Sequence, residues 1–138
     1  MSNDVNGAVT RGVNHLGLTV PELVITANFF QQVLGFSKVG EKPDYPAIFV
    51  SDGHTMITLW QAKAAAPVSF DRHHNIGLHH VALAVADAAA LETLHERLLQ
   101  QSNVTVEFAP EALGEAPFRH MMCLIPGGIR VEFIAPAG

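Results

Sequence analysis

Val13-Asn14-His15-Leu16-Gly17-Leu18-Thr19-Val20 returns 65 residues later as Leu78-His79-His80-Val81-Ala82-Leu83-Ala84-Val85, and this recurrence decides the fold. Both copies alternate with a period of two, the signature of a strand with one face buried. Leu16, Leu18 and Val20 match Val81, Leu83 and Val85 on the apolar face. His15, Gly17 and Thr19 match His80, Ala82 and Ala84 on the other.

Working outward, each strand leads into a helix. Pro21 and Glu22 open the first, Leu23, Ala27, Phe30 and Leu34 form its apolar stripe, and Gly35 stops it. In the second copy Asp87 is the expected N-cap, and Leu91, Leu94 and Leu98 form the stripe. The offset then widens to 74, because Ile48-Phe49-Val50 with Gly53 corresponds to Met122-Cys123-Leu124 with Gly127. The added residues fall around Pro110-Glu111-Ala112-Leu113-Gly114-Glu115-Ala116-Pro117, read as a loop that can lie over a pocket as a lid. Each module is therefore strand, helix and three strands, about Gly12 to Gln61 and Leu78 to Ala135, joined by a linker. The expected fold is α+β: one domain over residues 1–138 whose two βαβββ modules curl a mixed sheet around a cleft, with helices on the outer face.

Composition narrows the partners. A chain of 138 residues can bury roughly two-thirds of its unfolded surface as one domain. Cys123 is the single cysteine, which excludes an internal disulfide and suits a reducing compartment; it reads as a small buried strand residue. Thirteen acidic against eight basic residues, with no basic cluster, argue against nucleic acid. The start at Met1-Ser2-Asn3-Asp4 carries no basic-then-apolar leader, and no run reaches the ~18 apolar residues of a membrane span, so a cytoplasmic location is expected.

Eight histidines are many for this length, and strand parity sorts them. If the apolar residues of the first strands pack under the helices, His15 and His80 face the cleft. On the last strands Val131 and Phe133 go under the helix and Glu132 faces the cleft, while Thr58 takes the symmetric place between Ile57 and Leu59. A single strand histidine is more often structural than ligating. Two at equivalent positions, facing a glutamate that would otherwise be a buried unpaired charge, point to a metal. Such a set suits one divalent ion per site, Fe, Mn, Ni, Co or Zn, and leaves coordination positions open for substrate. Met56 and Trp60 share the parity of Thr58 and are candidate pocket walls, and His120 can reach substrate. His54, His73, His74 and His95 read as solvated, and His79 as structural.

The chain resembles the vicinal oxygen chelate superfamily, which includes glyoxalase I, bleomycin-resistance proteins and extradiol dioxygenases. The likeness is carried by the opening strand Asn14–Val20, by Ala27–Phe36 with its Leu-Gly-Phe exit, and by Ile125-Pro126-Gly127-Gly128-Ile129-Arg130-Val131-Glu132. It implies metal ligands at His15, His80 and Glu132, Glu132 acting also in catalysis on a small-molecule substrate; Thr58, cleft-facing by parity, joins Met56, Trp60 and His120 as a candidate substrate neighbour. It also implies a homodimer, with sites shared between chains as the expected arrangement. Glyoxalase I usually has a glutamate where Thr58 stands. Extradiol dioxygenases use two histidines and one glutamate, but they carry a histidine and tyrosine before the closing turn that this chain lacks. Fosfomycin-modifying relatives place a threonine where Gly17 stands, and bleomycin-resistance proteins lack the ligands. The resemblance thus implies a metal-dependent lyase or isomerase, with a ring-cleaving dioxygenase as the second reading and a small-molecule binding protein of the bleomycin-resistance type as the third.

Overall fold

The computed structural model describes residues 7–138; Met1–Asp4, read above for a leader, lie outside the described residues. The first module runs β1 (His15–Val20), α1 (Leu23–Asn28), a π-helical segment (Phe29–Val33), β2 (Ser37–Lys42), β3 (Ala47–Ser51) and β4 (Met56–Gln61). The second runs β5 (Val81–Ala84), α2 (Ala88–Leu99), β6 (Thr105–Ala112), β7 (Phe118–Ile125) and β8 (Ile129–Pro136). Each makes its own four-stranded sheet, ordered β1-β4-β3-β2 and β5-β8-β7-β6, with one parallel pair and two antiparallel pairs. The fold is α+β, built as βαβββ twice.

The repeat extends to register. Gly17 faces Thr58 across β1 and β4 as Ala82 faces Glu132 across β5 and β8. Leu18, Val20, Ile57 and Leu59 are buried with Leu23, Ala27 and Phe30 of the first helix, and Leu83, Val131 and Phe133 with Leu91 and Leu98 of α2. The helices thus cover the apolar faces, and both modules share one continuous core. Cys123 sits within it, and burial pushes its thiol up to about 12, making it an inert packing residue.

Helix starts are built differently in the two copies. Asp87 Oδ1 accepts from Ala90 N at 2.8 Å, the expected side-chain cap. Glu22 makes no such bond; instead Gln61 at the end of β4 accepts from Leu23 N at 2.9 Å and donates from Nε2 to Pro21 O at 2.7 Å. The first helix also widens after Asn28, where Leu34 N reaches back to Phe29 O at 3.2 Å, a five-residue step. Gly35 then leaves the helix at φ +80°, a conformation that favours glycine.

The segment read as a long loop is largely strand. Pro110, Glu111 and Ala112 belong to β6, and only Leu113–Pro117 connect it to β7. Proline is tolerated there because β6 is an edge strand and its register slips between Phe108 and Glu111. The expected lid is a short hairpin. Among the described residues no helix is long and apolar enough to cross a membrane.

Candidate metal site

Glu132 and His80 form the center of the candidate site. His80 lies one residue before β5 rather than within it, and the parallel pairing of β5 with β8 brings its Nε2 to 3.0 Å from Glu132 Oε1. Glu132 is only 8% exposed, so its charge needs a cation or donors around it. His120, on the neighbouring strand β7, supplies a second contact, with Nδ1 2.7 Å from Glu132 Oε2.

Behind His80 runs a chain of polar contacts. His79 Nδ1 is 2.8 Å from His80 Nδ1, and Arg130 Nη1 reaches His79 Nδ1 and the His79 carbonyl, both at 3.2 Å. Arg130 in turn donates to both carboxylate oxygens of Glu107, at 2.8 and 3.0 Å. That fork holds the Glu107 carboxyl below the usual range and raises Arg130. For His79, desolvation and then the neighbouring Arg130 charge lower the pKa.

The symmetric place in the first module is filled by aromatic packing. Thr58 is 4% exposed; its hydroxyl accepts from Trp60 Nε1 at 2.9 Å and donates to Leu16 O at 3.5 Å. Gly17 makes this possible, since a Cβ there would stand 3.1 Å from Thr58 Oγ1 and 3.6 Å from Trp60 Nε1. Tyr45 meets the Trp60 ring edge-on at 4.7 Å, and Phe49 lies 5.8 Å from it. Trp60 and half-buried Met56 therefore present on this face, with the Thr58 hydroxyl bonded at the indole edge.

His15 stands apart. It is exposed, and its Nδ1 contacts Asn14 Oδ1 at 2.8 Å. Among the described residues no three His, Cys, Asp or Glu side chains are grouped so as to hold a metal. One chain thus brings His80 and Glu132 together, with His120 beside them, and leaves His15 in the other sheet. A cavity of about 400 Å³ lies elsewhere, between β1, the linker at Pro67–Phe70 and the turn at Gly127–Arg130, and none of the three candidate ligands lines it.

The model of the Glyoxalase/Bleomycin resistance protein/Dioxygenase superfamily matches residues 12–133, both modules and the linker. The chain belongs to that superfamily. Solved structures share its fold at low identity. A glyoxylase/bleomycin resistance protein/dioxygenase domain from Frankia sp. EAN1pec is 21% identical over 92% of this chain and 93% of its own, with a TM-score of 0.78. A lactoylglutathione lyase from Agrobacterium tumefaciens is 20% identical over 93% and 96%, with a TM-score of 0.69. A genomically encoded fosfomycin resistance protein from Listeria monocytogenes is 14% identical over 92% and 94%, with a TM-score of 0.70. No curated protein matches the sequence significantly.

Proposed function

We propose that this superfamily member is a divalent-metal-dependent enzyme acting on a small oxygen-bearing organic substrate by glyoxalase-like lyase or isomerase chemistry. The observation that carries the reading is the His80–Glu132 pair, a buried carboxylate oxygen 3.0 Å from an imidazole nitrogen. His80 and Glu132 of one copy hold the ion with His15 of a second copy. The donor set, two imidazoles and a carboxylate, fits Fe, Mn, Ni, Co or Zn and leaves positions open. When bound, the ion supplies Lewis-acid stabilisation of charge on substrate oxygens or, as Fe(II) in the second reading, a partner for dioxygen. Glu132, once its coordination loosens, moves a proton at the carbon next to a substrate carbonyl, and Trp60 and Met56 wall the apolar part of the substrate.

Sharing between copies rests on the edges. β1 and β5 each end a sheet with one side unpaired, and unpaired edges call for a partner strand. Val13, two residues before His15, is 80% exposed, and Val68 and Ile76 of the linker are fully open, surface that a second copy would cover. In a two-fold pairing β1 of each copy meets β5 of the other, and two sites form.

The sealed Thr58 favours the second reading, extradiol ring cleavage with Fe(II), because it leaves three ligands and no fourth. Metal analysis of protein purified without chelator tests the proposal, followed by assays with each metal restored. Turnover of a hemithioacetal with Ni, Co or Zn supports the first reading; oxygen uptake on catechols with Fe supports the second. Failure to bind any of the five metals would overturn both, and leave a small-molecule binding protein.

A further inference from the structure

The proposed ligands leave His120 without a role, although it is the most enclosed imidazole near Glu132. On β7 it pairs with Ile134 of β8, while Met122 pairs with Glu132. His120 is therefore the diagonal neighbour of Glu132 on one face of an antiparallel pair, within reach for long side chains. The two side chains are 13% and 10% exposed. The Phe108 ring, 5.0 Å away and tilted by 60°, fixes the plane of the imidazole.

The carboxylate oxygens are divided between two histidines. Oε2 lies 2.7 Å from His120 Nδ1, and Oε1 lies 3.0 Å from His80 Nε2. A ligating carboxylate carries no proton and can only accept, so the hydrogen of the first contact sits on His120 Nδ1. A carboxylate free to rotate can offer a metal one oxygen, the other, or both. A hydrogen bond at Oε2 occupies one of its lone pairs and limits rotation, so Oε1 is the oxygen left turned toward His80.

We infer that His120 is a positioning residue that donates from Nδ1 to Glu132 Oε2 and so fixes Glu132 as a one-oxygen ligand, keeping a coordination position open for substrate. This rests on the reading of Glu132 as a ligand. Partners of this kind change metal affinity by roughly 10- to 100-fold when removed.

Two substitutions separate positioning from packing. His120→Phe keeps a flat ring beside Phe108 and loses the donor; His120→Asn loses the ring but places an amide N–H where Nδ1 was. Each is measured on the full chain by Co(II) affinity, by the visible absorption of bound Co(II), and by the thermal midpoint of the metal-free protein. The expected result is a 10- to 100-fold weaker affinity and an altered Co(II) spectrum for His120→Phe, with both largely restored in His120→Asn. Wild-type affinity and spectrum in His120→Phe would overturn the inference. So would equal weakening in both variants that follows their metal-free midpoints. Glu132→Ala is the control: if it binds Co(II) as wild type does, the ligand reading itself fails, a result distinct from any change at His120.

Discussion

Thr26 Oγ1 donates to the carbonyl of Pro126 at 3.2 Å, tying the first helix to the closing turn of the other module. Arg97 of α2 answers it with a bond from Nη1 to Val33 O at 3.0 Å. The modules of one chain are thus joined on their helix side. β1 and β5 lie in separate sheets. Thr26→Val keeps the shape and removes the donor, leaving a buried carbonyl unsatisfied, at a cost of about 1–3 kcal/mol. Urea unfolding should show a lower midpoint with an unchanged slope, while the metal affinity of the folded protein stays at the wild-type value.

Trp60 is the only tryptophan, so its emission reports on the aromatic face. Thr58→Val removes the acceptor of its indole N–H and should cost about 1 kcal/mol. The emission should shift to the red as the ring loosens toward solvent. An unshifted spectrum with unchanged stability would mean that the Thr58 hydroxyl does not hold Trp60.

Acid should expose the Glu107–Arg130 fork. The folded-state pKa of Glu107 is lowered, chiefly by its hydrogen bond from Arg130. Its contribution is therefore present above the ordinary glutamate pKa and is lost as pH falls through the lower folded value. A partly exposed pair contributes about 1 kcal/mol. Glu107→Gln should lower stability at neutral pH and approach wild type in acid. A constant difference between the two proteins across that range would show that the pair does not titrate in this way.

Much of the fold was legible because strand parity is a local property. The alternation around His15 and His80 was enough to put the apolar residues of both modules under their helices and to make Thr58 the counterpart of Glu132, and the strand pairing, with Gly17 opposite Thr58 and Ala82 opposite Glu132, repeats that symmetry. The π-helical turn at Phe29–Val33 was not legible, since the stripe at Leu23, Ala27, Phe30 and Leu34 suits either winding. Pro110 read as loop, because the sequence does not reveal that β6 would be an irregular edge strand. The contact of His120 with Glu132 has a signal in the sequence: a tight turn at Gly127-Gly128 sets Met122 opposite Glu132 and puts His120 on the same face. The separation of His15 from His80 and Glu132 had none, because periodicity shows which face a residue takes and not which sheet edges meet.

The most direct test of a site shared between copies is the metal content of a purified heterodimer in which one chain carries His15→Ala and the other Glu132→Ala, each with its own tag. If His15 of one copy joins His80 and Glu132 of the other, one site carries both defects and the other is intact. The heterodimer should then bind one metal ion tightly, half of the wild-type content, while each homodimeric variant binds none. A heterodimer without a tight metal site would contradict the account, since that is the outcome when all three ligands come from one chain.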